Sequence, residues 1–217
     1  MNLPEVVSRE AWDAARSKLL LKEKQMTRAR DALNAERRRL PMVKLEKDYF
    51  FASAGGEVSL PELFEGRRQL IVYHMMWVRC PGCSLLVDNI GHLSHLHARD
   101  TTLVVVSRAA WRELDAFKQR MGWTVPFFSS HDSDFNNDFH VSPGEGSEGE
   151  ASGVSVFLRE GRSIFHTYST YDRGTDILNG TLNYLDLTAL GRQEDWEEPR
   201  GRANSPASGW WELHDEY

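Results

Sequence analysis

Cys80 and Cys83 are the only cysteines in the chain, and they form a single C-x-x-C, Cys80-Pro81-Gly82-Cys83. Two cysteines placed at random would fall at this spacing on the order of once in a hundred, so the motif signals redox chemistry or metal binding. Its surroundings favour redox. A thiol attacks as its thiolate, and a helix N-terminus stabilises that anion through unpaired N–H groups and the macrodipole. The motif lies between a dense apolar run, Leu70-Ile71-Val72-Tyr73, and a segment in which Leu86, Ile90, Leu93 and His97 share one helical face. Cys80 then falls in the N-cap region, and Pro81 suits the first helical position, where an N–H would have had no partner. With Arg79 adding positive charge, the expected Cys80 pKa lies at roughly 3.5–7.5.

The chemistry implied is thiol–disulfide exchange, in which Cys80 attacks, or is attacked within, a substrate disulfide and Cys83 resolves the mixed disulfide. A buried resolving thiol needs a proton acceptor. His74, six residues before Cys80 in the apolar strand, is the candidate, set against the plain reading of a satisfied core histidine. Trp77 is expected to flank and shield the site, with ordinary packing as the alternative. Asp134 and Asn136, in a polar stretch after Pro126, are candidates for lining a cleft, with loop capping as the alternative.

A closed zinc site wants four ligands, and His92, His95 and His97 read as lying further along the same helix as Cys83. His92 would then be ~14 Å along the axis from Cys83, too far to share an ion. Copper(I) held by the two thiols and one of His131, His140 or His166 is a minor alternative, and neither a metal nor an organic cofactor is expected.

The elements that must position these groups follow from the patterning. Residues Ser8 to Leu40 read as one long helix, with Trp12, Ala15, Leu19, Met26, Ala29 and Leu33 at threes and fours and Pro41 ending it. Residues 1–48 carry 12 basic and 8 acidic side chains, and residues 191–217 carry 3 and 7. Arg37-Arg38-Arg39 reads as a favourably charged helix end rather than a nucleic-acid patch, because the whole chain has a formal charge of −6 and no nucleic-acid motif.

A strand is expected through Tyr49–Phe51, a turn at Gly55-Gly56 and a short helix over Leu60–Phe64. Further strands fall at Leu70–Tyr73 and Thr101–Val106, a helix over Trp111–Met121, a hairpin over Val154–Leu158 and Ile164–Tyr168, and a last helical segment near Ile177–Leu187. The Gly/Ser/Glu-rich stretch Ser142–Gly153 is expected to be mobile, and Gly191–Gly209 reads as a tether. Trp210-Trp211 should dock on the domain surface, since two free indoles would be an apolar liability. The organisation is then 1–41 helical extension, 42–190 α/β domain and 191–217 charged tether with an aromatic tail.

The length of 217 residues suits one domain with an appendage, and 41% apolar against 27% charged residues is unlike a disordered chain. Leu70–Val78, nine residues broken by His74, is far short of the ~20 needed to cross a bilayer. The opening residues lack the basic-then-apolar layout of a secretory signal, so a cytoplasmic location is expected. Reducing conditions there argue against a merely structural disulfide.

Several separated motifs carry a family resemblance: Ser8-Arg9-Glu10 with Trp12, Glu36-Arg37-Arg38-Arg39-Leu40-Pro41, Cys80-Pro81-Gly82-Cys83-Ser84, Asp88-Asn89-Ile90, Val106-Ser107-Arg108 and Gly122-Trp123. They continue through Ser133-Asp134-Phe135-Asn136, Val156-Phe157-Leu158, Phe165-His166-Thr167-Tyr168-Ser169, Tyr184-Leu185-Asp186 and His214-Asp215-Glu216-Tyr217. The order of elements resembles the thioredoxin fold, an α/β arrangement with a central mixed sheet flanked by helices. More closely, the chain resembles the bacterial, thioredoxin-like domain-of-unknown-function 899 family, described as predicted dithiol-disulfide oxidoreductases.

That resemblance implies a protein or small-molecule disulfide as substrate and a thiol reductant as partner, with no nucleic acid and no membrane. It also implies that substrate meets Pro81, Gly82 and Val154. Gly153-Val154-Ser155 stands where thioredoxin-like proteins place a cis-proline, and His74 stands where they commonly place an acid. Trp77 stands where a peroxidatic motif has threonine or serine, so peroxidase activity is disfavoured. The alternative of another class is a non-catalytic binding or assembly module whose main feature is the long helix, packing in a homodimer.

Overall fold

The structure is a computed structural model that describes residues 3–142 and 149–217. The mobile stretch expected at Ser142–Gly153 falls largely on residues 143–148, outside the described residues. The Ser8 hydroxyl caps the first helix, α1 (Arg9–Arg37), by accepting from the Ala11 amide at 3.2 Å. No residue of α1 is buried. The chain continues through β1 (Val43–Lys44), the hairpin β2 (Phe50–Ser53) and β3 (Gly56–Ser59), and α2 (Leu60–Leu63). There follow β4 (Gln69–Met75), α3 (Pro81–Asp88), α4 (Ser94–His97), β5 (Thr101–Ser107), α5 (Trp111–Arg120), β6 (Phe127–Ser129) and α6 (Phe135–Asp138). The last elements are the hairpin β7 (Gly153–Glu160) and β8 (Ser163–Tyr171), a 3₁₀ turn (Asp172–Leu178) and α7 (Gly180–Leu185).

The strands form one sheet in the order β1-β8-β7-β4-β5-β6-β2-β3. β4 runs parallel to β5 and antiparallel to β7, and β5 runs parallel to β6. Parallel neighbours require crossovers, supplied here by α3–α4 and by α5. β4 is central and covered on both faces, which is why it reads as a continuous apolar run. Leu70 and Val72 pack on one side with Phe51, Phe64, Phe135 and Phe157. Tyr73 and Met75 pack on the other with Cys80, Cys83, Leu86, Leu114 and Leu213.

Two expectations are corrected. The helix after the cysteines is not continuous to His97: it ends at Asp88, where the Asn89 side chain donates to the Leu85 carbonyl at 2.7 Å and accepts from the Thr181 amide at 2.8 Å, and Gly91 follows. The axial-distance argument that excluded His92 therefore does not apply. The 191–209 segment is also folded rather than a tether. The Arg192 guanidinium pairs with Asp186 at 2.7 Å and Asp176 at 3.3 Å, and buried Glu194 accepts from the Trp210 indole at 3.0 Å and the Ser208 amide at 2.8 Å. Arg192 and Glu194 can be buried because each is paired or hydrogen-bonded.

Candidate active site

β4 delivers the chain to a tight connection, residues 76–79, in which Arg79 takes a left-handed φ of 66°. Cys80 is the N-cap of α3: its sulfur accepts from the Cys83 amide at 3.3 Å, and its carbonyl accepts from the Ser84 hydroxyl at 2.8 Å. Pro81 occupies the first helical position, as the sequence implied. Both cysteines are free and buried, and they approach each other to 2.9 Å, well beyond the ~2.05 Å of an S–S bond.

The more acidic thiol of this pair is Cys83. Its pKa is lowered by the Cys80 thiol that donates to it, and further by the Tyr73 hydroxyl and the Met76 amide, the latter at 3.4 Å, against an opposing effect of burial. Cys80 is pushed up, first by donating to Cys83 and then by burial. Tyr73 is raised well above its ordinary value by burial and by the neighbouring sulfur charge, so it stays a donor. The expected depression of the Cys80 pKa is thus reversed. The helix N-terminus is present, but the Cys80 thiol donates to Cys83, which has more donors.

A C-terminal strap covers the motif. The Trp211 ring packs directly on Gly82, where an added Cβ would lie 2.7 Å from a ring carbon, so the glycine is what admits the indole. Leu213 is buried in the same apolar cluster as both cysteines. Glu216 pairs with Arg79 and with Arg120, each at 2.7 Å, and Asp215 pairs with Arg120 at 2.8 Å. Asp88, at the end of α3, accepts from His214 Nδ1 at 2.8 Å and from the Trp123 indole at 2.6 Å. The docking expected of Trp210-Trp211 is realised by Trp211 on the motif itself.

The residues singled out from the sequence divide. Trp77 flanks the motif, half-exposed, with its carbonyl accepting from the Cys80 amide at 3.3 Å. Val154 pairs in register with Tyr73 and shares the apolar cluster of the cysteines, while Gly153 stands opposite His74. His74 is separated from the thiols because strand alternation puts it on the other face of β4. There Nε2 bonds the Ser155 hydroxyl at 2.9 Å, and the ring stacks on Phe135 at 5.5 Å. Burial, then the charge of His166, hold its pKa down to about 3, so it is a neutral core histidine.

Asp134 also lies away from the thiols, paired with Lys47 at 2.8 Å beside Phe135. Asn136 is buried, accepting from Ser130 and donating to Glu150, which is the loop-capping role. His166 packs against Phe139 and Phe157 on the His74 side of the sheet. Among the described residues no group of three or more His, Cys, Asp or Glu side chains could hold a metal ion. Tyr73, the Met76 amide, Leu213 and Glu216 escaped sequence reasoning. Period-two alternation did signal that Tyr73 and His74 face opposite ways.

The profile of a family described as "Bacterial protein of unknown function (DUF899)" matches residues 1–217. The chain belongs to the DUF899 family. No curated protein matches it. Among solved structures, this DUF899 chain is similar to a peroxiredoxin PrxQ mutant of Xylella fastidiosa, with TM-score 0.50 and 16% identity over 66% of this chain and 94% of that one. It is also similar to peroxiredoxin Q of Xanthomonas campestris, with TM-score 0.49 and 19% identity over 64% and 90%. A third neighbour is the peroxidoxin BcpB of Mycobacterium tuberculosis, with TM-score 0.49 and 16% identity over 67% and 97%. The fold is thioredoxin-like, as the resemblance implied, with the long N-terminal helix added. Among the described residues no helix is long and apolar enough to cross a membrane.

Proposed function

We propose that this DUF899 protein is a cytoplasmic dithiol–disulfide oxidoreductase using Cys80 and Cys83 on a protein or small-molecule disulfide, with a thiol reductant returning the pair to its reduced form. The observation that carries the reading is the free pair at the N-terminus of α3, approaching to 2.9 Å with donors aimed at one sulfur. The reaction begins with the proton moving from Cys80 to Cys83. The Cys80 thiolate, held by the Cys83 amide, attacks one substrate sulfur; a Cys80–substrate S–S bond forms and the substrate's own S–S bond breaks.

The departing thiolate takes the proton from Cys83. Cys83, stabilised as thiolate by Tyr73 and the Met76 amide, then attacks the Cys80 sulfur, closing the intramolecular disulfide and releasing the second substrate thiolate, which is protonated by water. One protein thiol, one protein thiolate, one substrate disulfide and one proton from water become one protein disulfide and two substrate thiols. His74 has no part in these proton movements, and the Trp211 strap must lift before substrate reaches Cys80.

The test is reduction of insulin or an aromatic disulfide by the full chain with a dithiol donor, together with the midpoint of the pair. A reversible midpoint between about −270 and −200 mV, and a substrate trapped on Cys80 in Cys83→Ser, are the expected results. Failure of the pair to form a disulfide overturns the reading. Consumption of hydrogen peroxide that survives Cys80→Ser would instead assign a one-cysteine peroxidase.

A further inference from the structure

The face of the sheet that carries the thiols also bounds a cavity of about 570 Å³, enclosed by α1, the α3–α4 connection, the β7–β8 pair and the 3₁₀ turn. That volume lies within the ~300–1,000 Å³ of small-molecule sites. Its wall is mostly apolar, with Ile71, Leu86, Leu103 and Val156, and Asn89 and His92 are among its few polar side chains. At the mouth, Ile177 and Leu178 remain 44% and 48% exposed, apolar surface that the fold leaves uncovered. α1 supplies the charge there: Arg30 and Arg37 line the cavity, and among the described residues no Asp or Glu does.

The two arginines are seven residues apart, two turns of helix, so they share a face of α1 with a separation of about 10 Å along its axis. Arg37 is oriented, its Nη1 donating to Asn34 Oδ1 at 2.7 Å and its guanidinium lying 5.4 Å from the Tyr168 ring centroid. Among the described residues neither arginine has a carboxylate partner, whereas Arg79, Arg120 and Arg192 all do.

We propose that this cavity binds a linear apolar monocarboxylate, a free fatty-acid-like molecule whose chain lies along the apolar wall and whose head group meets Arg30 and Arg37. An apolar chain gains from the wall in proportion to the area removed from water, and a guanidinium matches a carboxylate in charge and in bidentate geometry. A polar anion such as a nucleotide would leave most of its hydrogen-bonding groups unpaired against Ile71, Leu103 and Val156. A neutral hydrocarbon would leave the two cations unused. Tyr73 lines the cavity and donates to Cys83, so the site adjoins the dithiol. It goes beyond the exchange reaction and needs neither sulfur.

The experiment is isothermal titration of the full chain with dodecanoate, and in parallel with dodecanol. The expected result is one dodecanoate per chain, binding weakened tenfold or more in the double variant Arg30→Ala, Arg37→Ala and abolished in Leu103→Trp, whose bulk fills the cavity. Should Leu103→Trp fail to fold by circular dichroism, Ile177→Trp at the mouth serves in its place. Dodecanol binding as tightly as dodecanoate, or dodecanoate binding untouched by loss of both arginines, overturns the proposal. So does a dimer, seen by sedimentation, that Ile177→Glu dissociates while dodecanoate fails to bind, since the face then belongs to a second copy of the chain.

Discussion

Weakening the C-terminal strap should open the dithiol, and Leu213→Ala is the cleanest way to do it. Leu213 is fully buried among Cys80, Cys83, Leu86 and Met121, whereas the ion pairs that accompany it are half-exposed. Truncating such a leucine costs about 2–5 kcal/mol. The strap is terminal, and if it detaches as a local unit that loss falls on its own opening equilibrium. At about 1.4 kcal/mol per tenfold, the lower end gives roughly 30-fold more of the open form. Arg120→Ala removes only solvent-screened ion pairs, so it should open the strap less than Leu213→Ala does. One contribution already favours opening: the buried Trp211 Nε1 has no hydrogen-bond partner among the described residues, a loss of about 1–3 kcal/mol. The assay is pulse alkylation of the reduced protein with iodoacetamide, read at Cys80 by mass spectrometry, beside urea unfolding of the same samples. Leu213→Ala alkylating at the parent rate while folded would refute the reasoning. So would alkylation that rises only in step with global unfolding, because the strap would then not be a separable unit.

Three further outcomes follow from the same geometry. Gly82→Ala sets a Cβ 2.7 Å from the Trp211 ring at a helical position that tolerates alanine, so Cys80 alkylation should accelerate without loss of far-ultraviolet circular dichroism; an unchanged rate would mean that the ring slides aside while docked. Tyr73→Phe removes a donor to the Cys83 sulfur and so disfavours its charged form. The first thiolate ionisation, followed by ultraviolet absorbance, should move up, and no movement would remove Tyr73 from the site. His74, with a folded pKa of about 3, takes up its proton less readily than in the unfolded chain, where the value is ~6.5. Its contribution to stability is therefore complete above about pH 6.5 and is lost as pH falls toward 3, on the order of 1.4 kcal/mol per unit crossed. Urea midpoints at pH 7 and pH 5 should drop less in His74→Gln than in the parent, and equal drops would refute the assignment.

Much of the fold was legible because it is local. The apolar run before the motif, Pro81 after Cys80 and the alternation of the β7–β8 hairpin each identify an element without knowledge of its neighbours. What was illegible depends on partners far away in the chain. Alternation puts Tyr73 and His74 on opposite faces of β4, but only the packing of α3 decides which of them meets the thiols. Asn89 ends α3 through Thr181, and no pattern within the helix announces that contact. The 191–209 segment reads as a tether because composition counts Arg192 and Glu194 as solvated charges, whereas each is buried against a partner.

The charge on the cysteine pair joins these two kinds of information. Local reasoning places Cys80 at a helix N-terminus and correctly finds amide donors there, yet Cys80 is pushed up, first by donating to Cys83 and then by burial, while Cys83 is lowered by that donor and by Tyr73 and Met76. Lifting the strap leaves the hydrogen bond to Cys83 that raises Cys80, removes the burial that adds to it, and keeps the helix amide donor in place. The open form should therefore ionise more readily at Cys80 than the strap-covered protein does. A pH profile of Cys80 alkylation in Leu213→Ala should accordingly have a lower midpoint than in the parent. A midpoint that stays high in the opened protein would show that the Cys83 donors alone, and not the covering tail, set where the charge resides.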